Sequence, residues 1–215
     1  MKIYQNYKTR LSRILMTGAV VGAAILAVPT IKAQNAAPPP DSSQPSSKIS
    51  HRAKEFLKES GQANQTELAM ANVALGKSQN SQVKDLANMM LTDHQKNFAQ
   101  VQSLAQTYGI TLDTGLDMLN QHAVNRLQKA NDANFDREYT TVMLKDHVKC
   151  IKRFEKAASD MEEQNVKQYA QDTLPALRHH LQKSQEAARN AGVEDSTISS
   201  ILKDLPSEDR PVAAQ

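Results

Sequence analysis

A short motif that contains aspartate and histidine occurs twice in the chain. Met90-Leu91-Thr92-Asp93-His94 returns, with one substitution, as Met143-Leu144-Lys145-Asp146-His147. Residues four apart share a helix face, so each methionine lies under its histidine, while each aspartate points about 100° away. The repeat therefore predicts two helices with the same Met/His face, in a bundle with polar groups at its centre. Imidazole and thioether side chains of this kind are ligands for transition metals.

The stretches around the repeat have the apolar spacing of amphipathic helices, and strand-like alternation is missing. Four long helices are predicted at about 49–78, 82–108, 131–161 and 163–190, with a further short one near 196–203. Short links join the first helix to the second and the third to the fourth, whereas residues 110–130 form a long connection with a helical stretch of its own. This pattern predicts an all-α protein, a ferritin-like four-helix bundle with one long crossover containing a short helix.

In such a bundle the second and third helices are parallel, so His94 and His147 lie at similar heights. Glu67 in the first helix and His180 in the fourth also lie near mid-helix. We therefore expect four polar side chains, one from each helix, to converge. Both aspartates of the repeat are expected to cap helices or to pair with Lys or Arg on neighbouring helices. The remaining histidines are expected to face solvent: His51, His122 and His179.

Two interpretations of this centre stay open. The first is a metal site for one Cu, Zn or Fe ion, with ligands drawn from Glu67, His94, His147 and His180. The thioethers of Met90 or Met143 would shift such a site toward Cu(I). The second is a buried hydrogen-bonded layer in which Glu67 accepts protons from His94 or His147 and fixes the helix register.

Di-iron oxidase chemistry is disfavoured by the same residues. Ferritin-like di-iron sites use a Glu-x-x-His motif on two of their helices. Here leucine stands three residues before each candidate histidine, at Leu91, Leu144 and Leu177. The carboxylates that would bridge two iron ions are therefore missing from the pattern.

The first 33 residues have the pattern of a secretory signal peptide. Basic residues precede an apolar run from Ile14 to Val28, Pro29 ends this run, and cleavage is expected after Ala33. The alternative is an uncleaved membrane anchor, although the run is shorter than the roughly 20 apolar residues that a spanning helix needs. We expect an exported protein that is periplasmic or associated with the outer membrane.

Three segments are predicted after the signal peptide. Residues 34–48 are rich in Pro and Ser and are predicted to be a disordered linker, residues 49–205 form the bundle, and residues 206–215 form a disordered tail. Removal of residues 1–33 takes away five basic residues, which leaves 21 basic against 23 acidic ones and a charge near −2. This balance argues against a nucleic-acid partner, and no later apolar run has the length of a transmembrane span.

Several short motifs follow one another in a fixed order between Phe56 and Ala188. They are Phe56-Leu57, Glu67, Met90 with Asp93-His94, Tyr108-Gly109-Ile110, Asp146-His147 with Phe154-Glu155, and Leu174-Pro175-x-Leu177-x-x-His180-Leu181. In order and spacing they resemble the exported bacterial proteins of domain-of-unknown-function family 4142. The resemblance implies a ferritin-like four-helix bundle in the periplasm or at the outer membrane, and it implies no agreed activity.

Catalytic signatures do not accompany these motifs. The chain has no Gly-rich phosphate loop, no G-x-S-x-G turn and no H-E-x-x-H zinc helix. The sequence therefore favours a non-enzymatic binding, structural or stress-related protein of the cell envelope, with envelope proteins or itself as partners, and metal binding as the alternative.

Cys150 is the only cysteine, so an intrachain disulfide is excluded, and it is expected to be a small buried hydrophobe.

Overall fold

The computed structural model describes residues 48–207 and Arg210, and the predicted signal peptide and residues 34–47 lie outside this part of the chain. All regular structure within it is helical, which confirms the all-α prediction. The helices are α1 (His51–Lys77), α2 (Ser81–Thr107), α3 (Met118–Gln128), α4 (Asp132–Asp160), α5 (Gln164–Asn190) and α6 (Asp195–Leu202). Within the described residues, none of these helices combines the length and apolarity needed to cross a membrane.

Side-chain caps fix where the helices begin. The first four helices each follow a residue whose side chain accepts a hydrogen bond from a backbone N–H of the first turn: Ser50, Asn80, Asp117 and Asn131. At the other ends, Gly109 follows α2 and Gly192 follows α5, with φ angles of 68° and 79°. Glycine adopts this left-handed conformation without steric cost, which explains why both helices stop there.

The four long helices form two antiparallel hairpins, α1 with α2 and α4 with α5. The hairpins pack through α1 against α4 and through α2 against α5, so α2 and α4 lie diagonally across the bundle. Phe56, near the start of α1, contacts Phe154, near the end of α4, with ring centroids 5.0 Å apart. Helices α1 and α4 are therefore antiparallel, and α2 runs parallel to α4 as the long crossover predicts.

Apolar side chains fill both ends of the bundle. One cluster contains Phe56 and Phe154, and the other contains Phe135 and Tyr139. A layer of buried polar side chains lies between them on α1, α2, α4 and α5. Because a shift of one helix along its axis would move polar groups into apolar surroundings, the two clusters and this layer together fix the helix register.

Gly61 allows the crossover to approach α1 closely. A Cβ atom at this position would lie 3.1 Å from Leu112 Cδ1. Glycine inside a helix costs about 1 kcal/mol relative to alanine. Its presence in α1 is explained by the room that it leaves for Leu112, which is 4 % exposed.

One residue of the predicted tail contacts the turn that follows α6. The guanidinium group of Arg210 donates hydrogen bonds to the backbone carbonyls of Leu205 and Lys203, both 3.0 Å long. The remainder of the predicted tail, residues 208–209 and 211–215, lies outside the described residues.

Candidate metal centre

Three histidine rings meet in the polar layer. His94 from α2, His147 from α4 and His180 from α5 are 7 %, 1 % and 2 % exposed. One ring nitrogen of each lies within 4.8 Å of the corresponding nitrogens of the other two. The structure thus brings together three of the four predicted site residues. The other histidines are exposed, as expected: His51, His122 and His179.

In two of the rings, the nitrogen on the side away from the other histidines lies next to an oxygen that can only accept a hydrogen bond. We call this the outer nitrogen. His147 Nδ1 lies 2.9 Å from the backbone carbonyl of Met143, and His180 Nε2 lies 3.0 Å from Asp93 Oδ2. In the neutral imidazoles these outer nitrogens therefore carry the proton and donate it. The lone pairs are then on His147 Nε2 and His180 Nδ1, which face each other at 3.3 Å.

Asn64 orients the third ring. Its Nδ2 donates to the Ser60 carbonyl and to Asn97 Oδ1, each at 2.8 Å, so its Oδ1 is the atom that faces His94 Nδ1 at 2.9 Å. His94 therefore carries its proton on Nδ1 and its lone pair on Nε2. That Nε2 atom is buried and has no hydrogen-bond partner among residues 48–207 and Arg210.

Burial keeps the three rings neutral. It lowers the pKa of His147 to about 3, and His180 adds to this effect. Burial is also the largest cause that lowers the pKa of His94 and of His180, although Asp93 opposes it at His180. The three lone pairs thus converge on one centre, and burial disfavours a proton there. Metal-binding histidines have the same arrangement, because the second nitrogen of each ring donates a hydrogen bond to the protein.

The nitrogen spacing suits a tetrahedral ion. With Zn–N bonds of about 2.0–2.1 Å, two ligand nitrogens of a tetrahedral site lie about 3.3–3.4 Å apart. The distance of 3.3 Å between His147 Nε2 and His180 Nδ1 meets this requirement. The distances to His94 are at most 4.8 Å, so three bonds to one ion would require that ring to move toward the other two by up to about 1.5 Å.

Glu67, the fourth predicted residue, lies outside this group of nitrogens. It is 5 % exposed, and its Oε2 atom is buried without a hydrogen-bond partner in the described part of the chain. Burial, and after it the Asp146 carboxylate, raises the pKa of Glu67 well above its usual value. The predicted hydrogen bonds from His94 or His147 to Glu67 are not found among the described residues. His94 donates to Asn64 instead, and His147 donates to the Met143 carbonyl.

The methionines of the repeat pack in the core. Met90 and Met143 are fully buried in the apolar cluster around Phe135 and Tyr139, and neither lines the cleft beside the histidines. Met143 contributes its backbone carbonyl to the site, as the acceptor for His147.

A cleft of about 970 Å³ reaches the three histidines between α2 and α5. Glu67 and Cys150 also line it, and the half-buried Cys150 accepts a hydrogen bond from Arg153. Along the cleft, Asn97 Oδ1 accepts from the Tyr169 hydroxyl at 2.7 Å as well as from Asn64. Asn64, which contacts His94, is therefore linked to α5 through Asn97.

Each aspartate of the repeat pairs with a lysine three residues later, Asp93 with Lys96 at 4.0 Å and Asp146 with Lys149 at 3.5 Å. Asp93 also accepts a hydrogen bond from His180. The expectation of Lys or Arg partners on neighbouring helices is wrong, because both lysines lie on the same helix as their aspartate and the partner of Asp93 on another helix is a histidine. Asn64 was not predicted either, although it lies three residues before Glu67, the spacing of neighbours on one helix face.

The fold and the polar layer define a helical-bundle protein with a candidate tri-histidine metal site. The chain belongs to the family described as Domain of unknown function (DUF4142), whose model matches residues 38–187, and this confirms the predicted family. Among curated proteins, none matches the chain significantly.

Two solved structures share the fold. One is the crystal structure of a DUF305 fragment from Deinococcus radiodurans, which is 15 % identical with a TM-score of 0.58 and covers 67 % of this chain and 99 % of its own. The other is a hypothetical protein from Methanococcus jannaschii DSM 2661, which is 16 % identical with a TM-score of 0.58 and covers 75 % of this chain and 98 % of its own. Both similarities concern the helical fold alone.

Proposed function

We propose that the protein is an exported helical bundle that binds one late first-row transition-metal ion through His94 Nε2, His147 Nε2 and His180 Nδ1. One observation carries this proposal. Asn64, the Met143 carbonyl and Asp93 each accept the outer ring proton, so all three free lone pairs point inward. Metal-binding histidines are commonly oriented in this way by acceptors behind the ring.

The donor set selects among ions. Neutral imidazoles suit Zn, Cu, Ni and Fe, whereas Mg and Ca prefer oxygen ligands. Among these metals, the general order of affinity places Cu(II) above Zn(II) and both above Fe(II). Because the Met90 and Met143 thioethers lie in the apolar core, the preference for Cu(I) that they would give is not supported. The proposed ion is therefore Zn(II) or Cu(II).

The proposed location rests on the amino-terminal sequence. The basic residues and the apolar run within residues 1–33 support export, and the periplasm or the outer membrane is the proposed place of action. Ion binding there needs no partner chain, because all three ligands come from one bundle.

Elemental analysis tests the proposal. The protein is isolated without an affinity tag, dialysed against Zn(II) or Cu(II), and its metal content is measured. We expect about one equivalent in the wild type, none in His147→Ala, and about one in the exposed control His179→Ala. A wild type that takes up neither metal would contradict the proposal and leave the histidines as a packing layer of the bundle.

A further inference from the structure

The site has an approximate two-fold arrangement about the bundle axis. A rotation of 180° about this axis would exchange α2 with α4, the helices that carry the two copies of the Asp-His motif. It would also exchange α1 with α5, which lie on the other diagonal. On one side, Asp93 of α2 accepts a hydrogen bond from His180 of α5. On the other side, Asp146 of α4 and Glu67 of α1 line one groove, and the Asp146 carboxylate helps to raise the pKa of Glu67. Glu67 thus holds the position that corresponds to His180.

At this position a fourth histidine would complete a closed site, but a carboxylate is present instead. Glu67 lines the same cleft as the three histidines and lies outside their group of ligand atoms. Its Oε2 atom is buried, and no described residue forms a hydrogen bond with it. This free oxygen can accept a hydrogen bond from a group that is bound to the ion.

Resting on the proposed function, we infer that a water molecule completes the coordination of the ion from the cleft, and that Glu67 accepts a proton from this water. Three protein ligands with an open fourth position distinguish catalytic zinc sites from structural ones. A zinc ion with three histidine ligands can lower the pKa of its bound water to about 7, so a neighbouring carboxylate is sufficient to take the proton. The cleft is then a site for hydrolysis of esters or amides.

The reaction needs no further reactant. The hydroxide oxygen forms a bond to the carbonyl carbon, and the bond from that carbon to the leaving oxygen or nitrogen breaks. The proton taken by Glu67 passes to the leaving group, so ester and water give acid and alcohol. Asn97 and Tyr169 also line the cleft, where the Tyr169 hydroxyl donates a hydrogen bond to Asn97 Oδ1.

The open position is tested first, with Co(II) in place of the native ion and azide as a competing ligand. We expect the full chain to bind Co(II) with the strong visible absorption of a four-coordinate site, and azide to shift these bands. In Glu67→His, which supplies the fourth nitrogen, Co(II) should still bind and azide should have no effect. If azide leaves the wild-type spectrum unchanged, a protein ligand fills the fourth position and the inference fails.

The role of Glu67 is tested with the Zn(II) form and 4-nitrophenyl acetate. General-base assistance contributes about 10²–10⁴-fold, so Glu67→Gln should lower the metal-dependent hydrolysis rate by at least about 100-fold. Its Co(II) spectrum and its response to azide should remain, which shows that the site is intact. The exposed control Glu162→Gln should hydrolyse at the wild-type rate.

The two proposals fail in different ways. If the wild type takes up neither Zn(II) nor Cu(II), the proposed function is wrong. If it takes up either ion, but azide leaves the Co(II) spectrum unchanged, Glu67→Gln hydrolyses as fast as the wild type, or the wild type does not hydrolyse the ester, only the present inference is wrong.

Discussion

His147 Nε2 lies 3.3 Å from His180 Nδ1, and both atoms carry lone pairs because the opposite nitrogens of the rings donate to a carbonyl and a carboxylate. Two facing lone pairs repel each other, and burial disfavours the proton that would relieve the repulsion. In the metal-free protein this contact is therefore destabilising. Binding sites commonly retain such local costs, because the stabilising substitution removes the function.

Replacement of His147 by leucine should separate stability from binding. Without metal, His147→Leu should unfold at the same or a higher urea concentration than the wild type, because an apolar side chain replaces a repelling polar contact. Zinc at about 1,000 times its Kd should stabilise the wild type by about 4 kcal/mol and leave the variant unchanged. Urea unfolding with a chelator and with Zn(II) measures both effects. A metal-free variant weakened by more than about 3 kcal/mol would instead show that the ring is a structural element of the core.

Asn64→Ala should weaken metal binding although Asn64 is not itself a ligand. The substitution removes the acceptor that holds the proton on His94 Nδ1, and the loss of such a partner typically lowers metal affinity 10–100-fold. Competition with a chromogenic chelator gives the affinity. Asn72→Ala is the matched control, because Asn72 is exposed on the same helix and bonds to the Leu68 carbonyl. Equal affinities in the two variants would exclude the orienting role of Asn64.

The metal-free protein should lose stability as the pH falls below about 6.5. Unfolded histidines take up protons near this pH, whereas burial lowers the pKa of His147 to about 3 and also lowers that of His94 and His180. Between these values the unfolded state binds more protons, so the free energy of unfolding decreases by up to about 1.4 kcal/mol per pH unit for each ring.

Urea unfolding from pH 7 to pH 4 in a chelating buffer measures this dependence. The variant His147→Gln should show a shallower decrease, and the exposed control His179→Gln should follow the wild type. The same pH dependence in all three proteins would mean that the buried rings are not the source of the acid sensitivity.

Glu67→Gln should stabilise the metal-free protein at neutral pH. The folded-state pKa of Glu67 is raised above 4.5, chiefly by burial, so its contribution is present below pH 4.5 and is lost as the pH rises through the folded pKa. Glutamine resembles the protonated form and avoids this loss. The gain should therefore be largest above neutral pH and should disappear near pH 4, as measured by thermal unfolding at both values. Glu162→Gln, an exposed change of the same charge, should give no such gain.

The sequence predicts the histidines of this site better than their partners. His94 and His147 follow from the repeated motif, and the helical period is sufficient to predict that they are buried. Asp93 and Asp146 have nearly the same local sequence, yet α5 presents His180 to the first and α1 presents Glu67 near the second. Which helix packs against each aspartate depends on the tertiary arrangement, and this information is missing from a five-residue motif.

The helix ends show the same distinction between local and tertiary information. The Asn80 cap and Gly109 could be predicted because a cap depends on one turn of backbone. The presence of glycine at position 61 is explained only by the close approach of Leu112, which lies fifty-one positions later in the chain.

The three ligands are divided between the two hairpins, since His94 belongs to the α1–α2 hairpin and His147 and His180 belong to the α4–α5 hairpin. An ion held by all three would join the halves of the chain as a removable cross-link across the crossover. Neither hairpin alone holds the complete set, so full affinity would exist only after the halves have docked. Supply or removal of the ion would then strengthen or loosen the joint between them.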